Sequence, residues 1–400
     1  MKLSQKISIA LIGAVAISAI AQPTAVFAIS VQVPSASVVA APKAEDFFIQ
    51  GQEKDEKGDY QGAIAAYTQA IVLNPNYAEA YNGRGNARYS LGDYKGALGD
   101  FNEALRINPN YAEAYINRGN ARDDSGDSQG ALADYNAALL INPNDALAYY
   151  NRGVTRSRLG DNKGAVADYT EALRINPNYA SAYNNRGLDR SDLGDNQGAV
   201  ADFNEVLRIN PNLPGAYLNR GITRYRLGDN KGAVADYSEA LRINPNFALA
   251  YYYRGNIRYF SGDNQGAVAD YNEAVRINPN FAEAYTHRGN ARDDLGDSQG
   301  ALADYDRALQ INPNFASAYL NRGVTRFRLG DNKAAVADYN AALRIDPNLA
   351  GAYLSRGIAR AEGGDKPGAM QDFQKAADLF QQQGDKDNYQ KAINNLRKLQ

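Results

Sequence analysis

Asn-Pro-Asn recurs at residues 74–76, 108–110, 142–144, 176–178, 210–212, 244–246, 278–280 and 312–314, and Asp-Pro-Asn follows at 346–348. The interval is 34 residues throughout. A fixed interval of that length means a stacked array, because one unit is too small to bury its own apolar face and successive units must cover one another. The 400-residue length would otherwise suggest two or three globular domains; here it is read as one array. Counted from the second residue after each Asn-Pro-Asn, ten units run from Ala44 to Gln383.

Within the unit, positions 1–14 and 17–30 are of helix length, and a glycine followed by an aspartate stands at 15–16 in all ten copies. The glycine at 15 suits the left-handed residue that ends a helix, and the aspartate at 16 suits the N-cap of the next. The proline at 32 stops the second helix, since it has no N–H to donate and its ring clashes with the preceding turn. The asparagine at 33 is placed to cap the next first helix. Asn76/Glu79, Asn110/Glu113 and Asn280/Glu283 add a capping-box spacing. Glycine fills position 8 and alanine position 20 in all ten units, alanine fills 27 in nine (Val206 is the exception), and Tyr or Phe stands at 4 and 24. Small residues let two helices cross closely; aromatics fill the space beside the crossing. Apolar residues at 21, 28 and 30 complete the buried stripe.

In the second unit the pattern reads Tyr81, Arg84-Gly85, Arg88, Ala97, Phe101 and Pro109. It resembles the tetratricopeptide repeat over residues 44–383, departing from it at positions 7 and 11, where this chain has arginine. The style of the repeats looks like the tetratricopeptide proteins abundant in cyanobacteria. The resemblance implies an all-α, right-handed superhelical solenoid. Residues 384–400, with apolar side chains at 389, 392, 393, 396 and 399, are expected to form one further amphipathic helix capping the last repeat.

Arginine occupies positions 7 and 11, and aspartate position 23, in repeats two to ten; repeat one has Gln50, Lys54 and Ala66 instead. The three features vanish together. In an antiparallel pair turning between 15 and 16, position 23 faces the glycine at position 8, flanked by 7 and within reach of 11. Arg152, Arg156 and Asp168 are therefore expected to form one rung of an internal salt-bridge ladder, because an unpaired buried charge would cost several kcal/mol.

Composition narrows the chemistry. There are 43 basic and 45 acidic residues, which gives no net basic surface for nucleic acid. No cysteine is present, which removes disulfides, zinc–thiolate sites, thiol nucleophiles and lipidation. The single histidine, His287, has no second candidate ligand beside it. Neither a calcium loop at 160–168 nor a dinucleotide fingerprint at 83–88 has the required spacing. No catalytic set, metal site or cofactor is expected. At the N-terminus, Lys2 and Lys6 precede an apolar run over 7–21, and small residues follow Pro23. This is the pattern of a secretory signal, with cleavage after Ala28 or, less favourably placed, after Ala21. The expected organisation is a signal peptide (1–28), a flexible linker (29–43), the repeats (44–383) and the cap (384–400). The compartment is then the periplasm, a thylakoid lumen or the extracellular space.

Positions 2, 5, 9, 12 and 13 of each first helix are left unexplained by packing. In the tetratricopeptide family these line the concave surface that takes peptide ligands. Here they include Asn82, Asn86 and Tyr89; Asn120, Asp123 and Asp124; Tyr150, Val154 and Arg158; Leu218, Ile222, Tyr225 and Arg226. Further along come Tyr252, Asn256, Tyr259 and Phe260; Asn290, Asp293 and Asp294; and Leu320, Val324, Phe327 and Arg328. Arg158 is read as pointing to the groove, the residue of its repeat to test for function. No repeat has a lysine at 5 beside an asparagine at 9, so binding of cytosolic chaperone tails is not implied. Repeats three and eight, and four and nine, are near copies 170 residues apart, which suggests duplication of a five-repeat block. The expected function is a non-enzymatic scaffold for a protein or peptide partner. An assembly factor for exported complexes is the alternative, and a hydrolase or glycan-binding role the more remote one.

Overall fold

The computed structural model describes residues 42–400, so the signal segment and all of the linker except residues 42–43 lie outside the described residues. Ala44–Gln400 forms one compact unit. It contains 21 α-helices and, among the described residues, no strand. In repeat four the first helix is Ala146–Arg158 and the second Asn162–Ile175. The other repeats have the same bounds shifted by multiples of 34 residues, apart from a longer last helix.

Each turn has one mechanism. The glycine at position 15 lies at φ between 76 and 95° in all ten repeats, a region L-residues avoid. The aspartate at 16 then caps the second helix; in repeat four Asp161 Oδ1 accepts from the Gly164 N–H at 2.9 Å. At the crossing, a Cβ on Gly153 would lie 2.7 Å from Cε1 of Tyr169, so the ring occupies the space that any side chain there would need. Tyr169, Ala165 and Ala172 are fully buried. Ala182, at position 3 of the following repeat, packs on the same cluster and carries the core across the repeat boundary.

The stripe of the second helix is narrower than its apolar residues suggest. Position 28 is buried, as at Leu105 and Leu173, whereas position 21 (Leu98) and position 30 (Ile107) are half-buried. The N-terminal capping of the first helices also differs from the sequence expectation. The N-cap is position 34, not 33, and in most repeats it is an aromatic or leucine with no side-chain cap. The asparagine at 31 takes the local role instead: Asn74 Oδ1 accepts from the Asn76 N–H at 3.1 Å. The capping box with Glu79 is therefore not formed. The proline and the asparagine at 33 form the middle of a turn, in which the Tyr179 N–H donates to the Asn176 carbonyl at 3.2 Å. The side chain at 34 packs inward, as Tyr179 does on Tyr150 with ring centroids 4.8 Å apart. Only Asp145 at this position caps with its carboxylate, accepting from the Ala148 N–H at 3.0 Å.

Every helix packs on its sequence neighbours. Successive first helices also touch one another, whereas successive second helices do not approach as closely. The first helices therefore form the tighter, inner layer of a curved solenoid. In repeat ten Phe380-Gln381-Gln382 replaces Asn-Pro-Asn, so the second helix runs on from Lys366 to Gln383. Gly384, at φ 74°, ends it. Lys386–Arg397 then forms the cap, setting Tyr389, Ala392 and Ile393 against Ala376, Leu379 and Phe380.

Candidate functional site

Each arginine–aspartate clasp lies at the helix crossing. Arg152 grips Asp168 bidentately, Nε to Oδ2 at 3.0 Å and Nη2 to Oδ1 at 2.6 Å. Arg156 Nη1 donates to the same Oδ2 at 2.8 Å. Asp168 is 2% exposed. Its two oxygens thus receive three charge-assisted hydrogen bonds, the arrangement that makes a buried carboxylate tolerable. The guanidinium of Arg152 also stacks on Tyr149, with its carbon 5.3 Å from the ring centroid.

One bond lies beyond the reach of reasoning confined to a single repeat. Arg152 Nη1 donates to Asn136 Oδ1 of repeat three at 2.6 Å. The same link recurs from Arg84 to Thr68, Arg254 to Ser238 and Arg356 to Asn340. The clasp is therefore a continuous rail as well as a set of rungs. A signal for it was present: position 25 carries Thr, Asn, Ser or Asp in repeats one to nine. Repeat one lacks the arginines but keeps Thr68, which serves its successor.

The inner layer is less free than the residue pattern implied. Asn82 is 3% exposed, donates to Tyr111 Oη and Glu113 Oε1 at 3.3 Å each, and accepts from Asn117 at 3.0 Å. It is a buried link between repeats and not an open groove residue. Asn120 accepts from Tyr135 at 2.8 Å and from Asn151 at 2.9 Å. Asp123 accepts from Ser128, Thr155 and Arg158 at 2.7, 3.0 and 2.8 Å. Arg158 is accordingly half of an ion pair across a repeat boundary: position 13 reaches back to position 12 of the preceding repeat. Tyr89 donates to Asp124 Oδ2 at 2.5 Å.

Repeats seven to nine build the same arrangement. Tyr259 donates to Asp294 at 2.8 Å, and Asn290 accepts from Tyr305 and Asn321. Asp293 accepts from Ser298 and Thr325 and pairs with Arg328. Burial and then the Asp294 contact push the Tyr259 phenol up to about 12, so it remains the donor at neutral pH.

Other candidates are engaged in different ways. Tyr150 accepts from Asn185 at 3.2 Å, and Arg226 donates to Ser191 at 2.7 Å. Asn256 accepts from Tyr271 at 2.8 Å and lies 2.9 Å from His287 Nδ1. Tyr252 packs on Phe281, and burial holds the His287 imidazole below its ordinary range. Phe327 leans on the core around Tyr339. Asn86 lines a 380 Å³ cavity at the start of the array with Phe48, Tyr67 and Glu79. Tyr225, at 45% exposure, stands open. Position 6 was absent from the sequence pattern, yet Asn117, Asn151 and Asn185 there carry inter-repeat bonds. Their recurring place immediately before Arg-Gly was the available signal. Among the described residues no three His, Asp or Glu side chains converge as metal ligands, and no helix is long and apolar enough to cross a membrane.

This geometry agrees with comparison to known proteins. A tetratricopeptide repeat model matches residues 50–112 and another matches 146–179. A TPR repeat model matches 119–160, 191–228, 223–260, 255–296, 289–330 and 325–364. The chain belongs to the tetratricopeptide repeat family, and its fold is that of the family's scaffolds. Among solved structures it is similar to the APC/C hetero-tetramer Cut9–Hcn1, at 15% identity over 89% of this chain and 90% of that one, with a TM-score of 0.50. It is also similar to a tetratricopeptide repeat protein from Parabacteroides merdae (22% identity, 62% and 98% covered, TM-score 0.49) and to yeast Tom70 (16%, 89% and 95%, 0.44). The likeness to Cut9–Hcn1 is one of fold. No match was found among the curated proteins. No catalytic family is among the matched models.

Proposed function

We propose that the chain is a non-enzymatic scaffold whose concave layer of first helices binds an extended segment of a protein partner in an exported compartment. One observation carries the reading. Large apolar side chains stand exposed on the inner positions of the first helices: Phe260 at 68%, Leu147 at 48%, Tyr225 at 45%, Leu249 at 42% and Leu188 at 41%. Exposed apolar side chains also stand at the turns (Leu91, Leu159) and on the second helices (Val72, Leu140). Among the described residues, however, the exposed aromatics, Tyr225 and Phe260, are both at inner positions, and aromatic side chains are the usual anchors of an interaction site.

A photo-crosslinking residue placed at Tyr225 or Phe260 is expected to capture a partner that the same residue at Glu205, on a second helix, does not. Equal capture from both faces, or capture only from Glu205, overturns the reading. Export rests on the charged, apolar and small-residue order of residues 1–28. N-terminal sequencing of the mature protein is expected to begin at Ile29; an intact Met1 on the functional protein counts against export.

A further inference from the structure

The concave layer contains one cavity twice. The first, of 270 Å³, is lined by Tyr89, Asn120, Asp124, Tyr135, Asn151 and Val154, among others. The second, of 210 Å³, is lined by Tyr259, Asn290, Asp294, Tyr305, Asn321 and Val324, with Arg328 at its edge. Each of these six lies 170 positions after its counterpart, and the side-chain type is the same at each. The hydrogen bonds correspond as well: tyrosine to the outer aspartate, serine, threonine and arginine to the inner one, and tyrosine and asparagine to the shared asparagine.

Elsewhere the inner faces of the two blocks diverge. Asn82 corresponds to Tyr252, Ile116 to Thr286, Ser157 to Phe327 and Asn184 to Leu354. Tyr150, which also touches the first cavity, corresponds to Leu320. The identity is therefore concentrated on the polar frame of the cavities and does not extend over the whole block. The inner aspartates, Asp123 and Asp293, have side chains 8% and 9% exposed and are neutralised by Arg158 and Arg328. They belong to that frame. The outer aspartates, Asp124 and Asp294, are held in place by a tyrosine donor on one oxygen. Each cavity thus presents one oriented carboxylate beside a tyrosine ring and a valine methyl surface.

The charge of the wider surface agrees. At inner positions 2, 5, 6, 9, 12 and 13, carboxylates outnumber arginines and lysines by twelve to three, on a chain whose formal net charge is only −2. Two of the three cations are the paired Arg158 and Arg328.

We infer that the groove holds two equivalent stations, five repeats apart, each receiving one lysine or arginine side chain of a basic, extended protein segment. The stem of the side chain lies along the tyrosine and valine, and its cation meets the outer carboxylate. The inference rests on the groove reading above and specifies its ligand. A partner with two basic side chains at the matching spacing engages both stations, and the second contact is then intramolecular.

The probe is a capped nonapeptide of glycine and serine with one central lysine, titrated into the protein lacking residues 1–28 at low ionic strength. Two equivalent sites per chain are expected. Asp124→Asn and Asp294→Asn are each expected to remove one site and the double variant both, with tyrosine fluorescence and circular dichroism unchanged. Norleucine in place of lysine, or raised salt, is expected to abolish binding. Undetectable binding of the lysine peptide, a single site in the wild type, or stoichiometry unmoved by the substitutions overturns the stations. If partner crosslinks at Tyr225 persist while the lysine peptide does not bind, the groove reading stands and the basic ligand is wrong. If neither is seen, both fall.

Discussion

Asp168 and Asp123 both hold an arginine, yet they belong to different regions and do different things. Asp168 sits at the helix crossing, its side chain 3% exposed, against Arg152 and Arg156 at 16% and 28%. Asp123 sits on the concave layer, 8% exposed, against an arginine that is 52% exposed. The first arrangement recurs every 34 residues and the second only after 170. An interaction repeated in nine consecutive units cannot distinguish one of those places along the array from another; it is part of how those units hold together. One that occurs at two places marks those places. In a repeat protein the period of a polar contact thus separates frame from recognition, even where the chemistry is the same.

The contrast is put at greatest risk at the clasp. Asp168→Ala leaves two guanidinium groups facing each other without their anion. The expected loss is about 3 kcal/mol, read from urea unfolding followed by circular dichroism. A loss below about 1 kcal/mol would mean that the arginines rotate out to water and that the clasp is not frame. Gly153→Ala comes next. The new Cβ would lie 2.7 Å from the Tyr169 ring, which has no room to retreat among Ala165, Ala172 and Ala182. A loss of about 2 kcal/mol is expected in the same assay.

These two sites also show why one region was more legible than the other. The glycines at positions 8 and 15, the aspartate at 16 and the aromatic at 24 act within one helix pair, so local spacing sufficed to place them. The clasp was accessible because opposed positions in an antiparallel pair follow from the position of the turn. The rail from Arg152 to Asn136 was not, because it depends on how one repeat is rotated on the next, which no spacing inside a repeat encodes. The same applies to the concave layer. Asn82 and Arg158 occupy groove positions by helical phase, but their partners, Asn117 and Asp123, come from adjoining repeats. The cap at position 34 was missed because the asparagine at 33 looked competent, while it lies inside the turn that the proline opens, which sets the helix start one residue later.

Repeat five probes the contrast from the opposite side, because it contains a carboxylate that neither region accounts for. Asp189 stands at position 10, where repeat four has Thr155, and is 4% exposed. Ser157 donates to its Oδ1 at 2.8 Å, while Oδ2 is buried without a hydrogen-bond partner. Burial first, and then the nearby Asp192, raise its pKa above the ordinary 3.8, the Ser157 bond opposing. An acid whose folded pKa is raised binds its proton more tightly when folded. Its contribution to stability is full below the unfolded pKa and is lost as pH rises through the folded value. Asp189→Asn removes the charge and retains an acceptor for Ser157. It is expected to stabilise the protein by about 1 kcal/mol at neutral pH, with the gain shrinking as the pH falls through the acid range in a series of thermal unfolding curves. A destabilisation at neutral pH would show that the charge has a partner.

The smallest stability effect is expected at Arg158, where the two regions make opposite forecasts. The pair with Asp123 is half in solvent on the arginine side, and Asp123 keeps Ser128 and Thr155 as donors when the arginine is removed. Arg158→Ala should therefore cost less than about 1 kcal/mol, unlike Asp168→Ala, which strands its partners. It also removes the positive charge that neutralises Asp123, a residue lining the first cavity, so the lysine peptide should bind there more tightly while the second station, framed by Arg328, is unchanged. Calorimetric titration would then resolve two unequal sites in place of two equal ones. A stability loss approaching that of Asp168→Ala, with the two sites still equal, would make the concave network as much frame as the clasp. The distinction drawn from the 34- and 170-residue periods would then be lost.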